Sequence, residues 1–284
     1  MSGDSISLRT AADNLGLHYM TVYRYVRTGK LAAVKRGGQW FVDPDDLGLL
    51  RIGSDPAARD GSRSRAAQQL EARMLAADEA GAWAVVSQAL TSGAEPAEIH
   101  LRMLIPAMRA IGDAWERGDI SVFDEHQATV IATRITARLG PRFHRRGRPK
   151  AHAIVGLVSG DPHALASGII ADLLRGRGFA VTDLGADTPA ESFIEMIEAA
   201  AAPDSDHDGG ADLVGLVISS SMSANATQVA STIAAITSAH PHVTIALGGS
   251  GIGTEAAARE LGATIWRETI GELLDTFDEL AARA

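Results

Sequence analysis

Residues 159–168 read SGDPHALASG and follow directly on the apolar run AIVGLV at 153–158. A short apolar run closed by small residues is the pattern of a buried strand leaving its sheet. His163 therefore stands in a strand-end loop, two residues after Asp161, at the rim where open α/β sheets bind ligands. An imidazole there can titrate in solvent or contact a bound group. A second cluster lies in DAWERGDISVFDEHQAT, residues 113–129. Trp115 ends one helical pattern, and Glu125 and His126 stand four and five residues after Ser121, the expected cap of the next. The plain alternative is a core tryptophan followed by an exposed helix start.

These clusters sit in a chain of 284 residues, enough for two or three domains at about 100–150 residues each. It is 46% apolar and 21% charged, the composition of a soluble globular protein. The absence of cysteine excludes disulfides, thiolate metal sites and thiol catalysis, and fits a cytoplasmic location. No apolar stretch reaches the ~20 residues that span a bilayer, so no membrane partner is expected. The first residues, MSGDSISLRT, lack the basic-then-apolar order of a secretion signal. A net charge of −9 argues against wholesale nucleic-acid coating, but charge varies by segment.

Two polar stretches divide the chain. RIGSDPAARDGSRSRA (51–66) and HRRGRPK (144–150) lack apolar periodicity. The expected organisation is residues 1–52, a linker at 53–66, residues 67–143, a basic linker at 144–151, and residues 152–284. The tract PDSDHDGGA (203–211) reads as an acidic surface loop.

Residues 152–284 alternate strands (153–158, 179–185, 213–219, 243–249, 263–266) with helices (164–176, 189–201, 224–238, 254–261, 269–282). Strand then helix five times over predicts a doubly wound, Rossmann-like parallel sheet with right-handed crossovers. Each strand ends in small or polar residues (SGD, GAD, SSS, GGSG), which keep the rim open to a large ligand. No GxGxxG follows the first strand and no GxxxxGK[ST] occurs, against dinucleotide and Walker-type sites. Residues 67–143 predict a helical bundle, with helices over 66–90, 95–116 and 122–139. Leu101, Leu104, Ile105, Met108, Ile111 and Trp115 recur at helical spacing, and Pro106 should start or kink its helix.

The first 52 residues carry seven basic and five acidic side chains, a net of +2. Ser7 should cap a helix over Leu8–Leu15, a second helix spans Tyr19–Thr28, and VKRGGQWFV forms a hairpin about Gly37-Gly38. TAADNLGLHYMTVYRYVRTGKLAAVKRGGQWFVDPDDL resembles the excisionase-like, MerR-related winged helix-turn-helix domains. That resemblance implies contact with double-stranded operator DNA through Tyr19, Thr21, Tyr23, Arg24 and Arg27 on the second helix. Lys35 and Arg36 would act from the wing. A charge of +2 implies weak binding by one copy, hence a homo-oligomer, dimer or tetramer.

Asp161-Pro162-His163 resembles the D/E-x-H motif of cobalamin-binding Rossmann-like domains. There the histidine displaces the vitamin's own base and ligates cobalt from below, while the acid bonds the far ring nitrogen. Leu184-Gly185-Ala186-Asp187-Thr188-Pro189 matches that family's loop after the second strand, and Gly248-Gly249 its turn after the fourth. Two positions depart: Ala166 stands for the usual glycine, and strict counting puts Val217 at the usual serine, leaving Ser219 or Ser221 to meet the displaced base.

Trp115, Val122, Glu125 and His126 stand at the spacing found in light-sensing transcription repressors of the CarH/LitR type. That resemblance implies adenosylcobalamin as cofactor, Trp115 packing on the adenosyl group and Glu125 hydrogen-bonded to it. His126 would take the upper cobalt position after photolysis. The function so implied is a non-enzymatic, cobalamin-dependent transcriptional regulator in which light alters domain pose, oligomeric state and DNA binding. A light-independent cobalamin or redox sensor, a corrinoid carrier of methyl transfer, and a module that has lost its cofactor are the alternatives.

Overall fold

A computed structural model of the chain describes residues 5–15, 22–23, 26, 31, 33–43, 64–201 and 211–284. Most of the second helix expected near the N-terminus, residues 53–63 of the expected 53–66 linker and most of the acidic tract lie outside these residues, as do Tyr19, Thr21, Arg24 and Arg27. The chain forms two compact units, Met1–Ile131 and Ala132–Ala284.

The first unit opens with β1 (Ile6–Ser7), α1 (Leu8–Leu15), β2 (Val34–Arg36) and β3 (Gln39–Val42). The Ser7 hydroxyl accepts from the Thr10 amide at 3.2 Å, which starts α1 where the sequence places it. Gly37 and Gly38, at φ 56° and 83°, make the two-residue turn between β2 and β3. β1 pairs with the other edge of β3, giving the order β1-β3-β2, a third strand too short for periodicity to reveal. Leu8, Ala11, Ala12, Val22, Leu31 and Val42 form the core beneath.

The same unit continues into helices α2 (Arg65–Leu75), α3 (Glu79–Thr91), α4 (Pro96–Ile99), α5 (Ile105–Glu116) and the start of α6 (Val122–Leu139). The single helix expected over 66–90 is two. Ala77 adopts a left-handed φ of 57°, and the Asp78 carboxylate accepts from the Gly81 amide at 2.8 Å, capping α3. Pro106 enters α5 after a wide π-helical turn at His100–Leu104. Pro106 has no N–H to donate to the Arg102 carbonyl four residues back. The Ser64 hydroxyl donates to that carbonyl at 3.3 Å.

In the second unit a four-stranded parallel sheet has the order β5-β4-β6-β7. Its strands are β4 (His152–Leu157), β5 (Ala180–Asp183), β6 (Leu213–Ser219) and β7 (Ile245–Gly248). Helices α7 (Leu165–Gly176), α8 (Ala190–Ala201), α9 (Ala226–Ala239), α10 (Glu255–Glu260) and α11 (Ile270–Ala281) alternate with them. The fifth strand expected at 263–266 is a single bridge between Ala246 and Ile265. β7 is itself four residues long, and Thr264 spends its hydroxyl on the Ile245 backbone.

The last turns of α6 belong to this unit. A methyl on Gly168 of α7 would meet Thr136 at 3.9 Å, and one on Gly176 would collide with the ring of Phe143 at 2.9 Å. The division of the chain therefore falls inside α6, ahead of the basic stretch at 144–151. Ile154, Phe193, Leu216, Ile218, Val229 and Ile233 pack into one core against the sheet.

Candidate functional site

The loops after β4, β5 and β6 meet at the carboxyl ends of the strands, and Asp161 joins them. Its side chain is fully buried. Oδ1 accepts from His163 Nδ1 at 2.7 Å and from the His163 amide at 3.2 Å, while Oδ2 accepts from the Ser221 amide at 2.7 Å. The Asp161 carbonyl accepts from the Asp187 amide at 3.0 Å, and Asp187 Oδ1 accepts from the Gly160 amide at 2.7 Å. Asp187 pays for this exchange with a left-handed φ of 52°.

His163 leaves this frame with a 45% exposed side chain. With the Nδ1 proton directed at a carboxylate, Nε2 is the nitrogen with a lone pair to offer. Among the described residues no three His, Asp or Glu side chains converge as a metal cage.

The neighbouring loops make room. Gly185 and Gly248 each face open space, with nothing within 4 Å of a would-be Cβ. Thr188 is buried, its hydroxyl 3.3 Å from the Leu184 carbonyl and its amide donating to Leu157 at 2.9 Å. Gly249 is irreplaceable for another reason: at φ 105°, a Cβ there would lie 2.2 Å from the Ser220 carbonyl.

Val217 is buried in mid-sheet, paired with Val155 and Ala246. Ser219, at the strand end beside Gly248, is buried, and its hydroxyl has no hydrogen-bond partner among the described residues. Ser221 contributes its amide. Asn225 Nδ2 is also buried without a partner among the described residues, although Asn225 occupies the N-cap position of α9 and makes no side-chain cap bond there. The sequence carries no mark of Asn225, because an asparagine before a helix reads as a cap. Two unpaired buried polar groups and two open glycines at one rim fit a polar ligand tail. Ala166 lies half-buried in the first turn of α7, its amide bonded to the His163 carbonyl at 3.2 Å.

In the first unit, Trp115 is 47% exposed at the end of α5, and Val122 and Phe123 are exposed at the start of α6. The 117–121 turn separates them. Ser121 and Asp124 form the expected cap, with the Asp124 amide 3.2 Å from the Ser121 hydroxyl. Glu125 accepts from the Thr129 hydroxyl at 2.7 Å and lies 3.7 Å from Nε2 of His126, whose side chain is 74% exposed. Lys35 and Arg36 are exposed on the β2–β3 hairpin, Lys35 Nζ lying 5.8 Å from the Trp40 ring centre. Tyr23 is half-buried against the small N-terminal core.

Residues 66–139 and 151–280 each match a family model described as a B12 binding domain, and residues 6–47 match a helix-turn-helix domain. The chain carries cobalamin-binding domains. It is 29% identical over 123 residues to trimethylamine corrinoid protein 1 of Methanosarcina acetivorans, covering 42% of this chain and 56% of that one. It is 30% identical over 126 residues to trimethylamine corrinoid protein 2 of the same organism, with the same coverage. The chain thus spans about half the length of these curated relatives. The monomethylamine corrinoid protein of Methanosarcina barkeri has the same fold, with a TM-score of 0.63 at 22% identity over 74% of this chain and 96% of that one. No helix among the described residues is long and apolar enough to cross a membrane.

Proposed function

We propose that this protein is a cobalamin-dependent DNA-binding regulator of the CarH/LitR type, with adenosylcobalamin as cofactor and visible light as signal. One observation carries the reading: a helix-turn-helix match at 6–47 shares a chain with B12-binding matches at 66–139 and 151–280. His163, fixed in its tautomer by Asp161, would be the residue that holds the cobalt, and Ser219 with the open Gly185 and Gly248 would leave room for the cofactor's polar tail. When bound, adenosylcobalamin supplies a cobalt–carbon bond that visible light cleaves. By the same resemblance, Trp115 would offer its exposed indole to the adenosyl group, Glu125 a carboxylate, and His126 a solvent-facing imidazole for cobalt. The winged domains read operator DNA in numbers set by the oligomer.

A corrinoid carrier of methyl transfer is the second reading, favoured by the names of the relatives. It leaves the helix-turn-helix match without a use. The two are separated by loading the full chain with adenosylcobalamin in the dark, then recording absorption, oligomer size and operator binding before and after green light. Light-dependent change in all three, altered by His126→Ala and with weakened cofactor binding in His163→Ala, supports the regulator. Operator binding indifferent to light makes it a dark sensor. No duplex binding in either state supports the carrier.

A further inference from the structure

Residues 134–150 read RITARLGPRFHRRGRPK: seven basic residues, one histidine and no acid. The other 267 residues hold 19 basic against 35 acidic side chains, a net of −16, so the positive charge is concentrated here. The segment is fastened to the second unit. Ile135 and Leu139 are buried on α6 while Arg134 and Arg138, one turn apart, are exposed. A 3₁₀ turn at Gly140–Arg142 follows, and Phe143 is buried beside Gly176. Arg145 donates to the Gly176 carbonyl, and the Lys150 amide to the Gly178 carbonyl at 3.1 Å. The chain is thus laid across the end of α7 as a strap.

Part of its charge is uncompensated. Lys150 is offset by Asp278, but the carbonyl that holds Arg145 leaves its charge intact. Arg142 and Arg146 are exposed and form no ion pair among the described residues. Six of the seven cations are arginine, whose planar fork matches phosphate better than an ammonium does.

We propose that this strap is a second, sequence-independent contact for duplex DNA, gripping backbone phosphates while the winged domain reads bases. The inference rests on the DNA-binding reading above. A structural linker has no need of such a charge, whereas a regulator whose winged domain carries only +2 gains affinity from added phosphate contacts.

The test measures binding of the full cobalamin-loaded chain to a mixed-sequence 30-base-pair duplex by fluorescence anisotropy, across a series of salt concentrations. Each phosphate contact contributes about 0.9 to the slope of log K against log salt, so Arg142→Gln/Arg146→Gln should flatten it by roughly 1.8. Cobalamin uptake should be unchanged, which shows that the variant folds. Lys35→Gln/Arg36→Gln on the wing is the comparison. A shifted slope for the wing variant with a wild-type slope for the strap variant overturns the strap and spares the regulator. No duplex binding by the unmutated chain overturns both. A strap variant that keeps its duplex slope but loses binding to anionic phospholipid vesicles makes the surface a membrane contact and refutes the DNA assignment.

Discussion

Asp161→Asn replaces one carboxylate oxygen with an NH₂ at the junction of three loops. The carboxylate receives three N–H donors: His163 Nδ1 at 2.7 Å, the His163 amide at 3.2 Å and the Ser221 amide at 2.7 Å. An asparagine keeps one oxygen and adds an NH₂, so one side of the junction must set donor against donor. If the oxygen stays toward Ser221, His163 can relieve the clash only by moving its proton to Nε2. That removes the lone pair a cobalt would need. If the oxygen turns toward His163, the part-buried Ser221 amide is left unpaired, at up to about 1–3 kcal/mol.

Loss of such a supporting bond typically lowers metal-site affinity 10–100-fold, about 1.4–2.7 kcal/mol. Titration with hydroxocobalamin, followed by absorption, should show that weakening together with an altered cobalt spectrum. Because Asp161 acts through His163, the same change made in a His163→Ala background should cost little further affinity. Wild-type affinity and spectrum in Asp161→Asn, or a full second loss in the double variant, would refute the reasoning.

Gly249→Ala combines a left-handed φ with a Cβ 2.2 Å from the Ser220 carbonyl, and should destabilise the second unit by at least ~2 kcal/mol. An unchanged denaturation midpoint would contradict it. Thr269→Ala removes one half of the α11 capping box, whose hydroxyl accepts from the Glu272 amide at 3.2 Å, and should cost about 1 kcal/mol by the same measurement. The Gly81 amide and Arg73 hold the Asp78 carboxyl below its usual 3.8, and the Ser121 hydroxyl and amide do the same for Asp124. A lowered folded-state pKa gives stability that is present above 3.8 and lost as pH falls through the folded value. Asp78→Asn/Asp124→Asn, which retains capping oxygens that do not titrate, should therefore show a flatter fall in melting temperature on acidification than the unmutated chain.

What the sequence disclosed followed from strong local rules. Ser7 before an amphipathic run marks α1, Gly37-Gly38 marks the hairpin, and four of the five strand–helix repeats form as expected. Asp161 and His163 are close in sequence, so their bond follows from spacing once the strand end is placed. The misses are positions where tertiary context decides. Ala77 breaks a helix although alanine favours helices, because Asp78 caps the helix beyond. The 263–266 run satisfies strand periodicity but finds only one bridge at the sheet edge. Asn225 stands out by a buried amide nitrogen without a partner among the described residues, which no spacing encodes.

Asp161 spends its second oxygen on a main-chain amide. That donor belongs to every amino acid but one, so codon changes at position 221 can drift through serine, alanine or threonine without loosening the imidazole; only proline would cut the tie. Relatives that look divergent at this position could thus retain the same histidine geometry, and a search keyed to hydroxyl side chains there would pass them over.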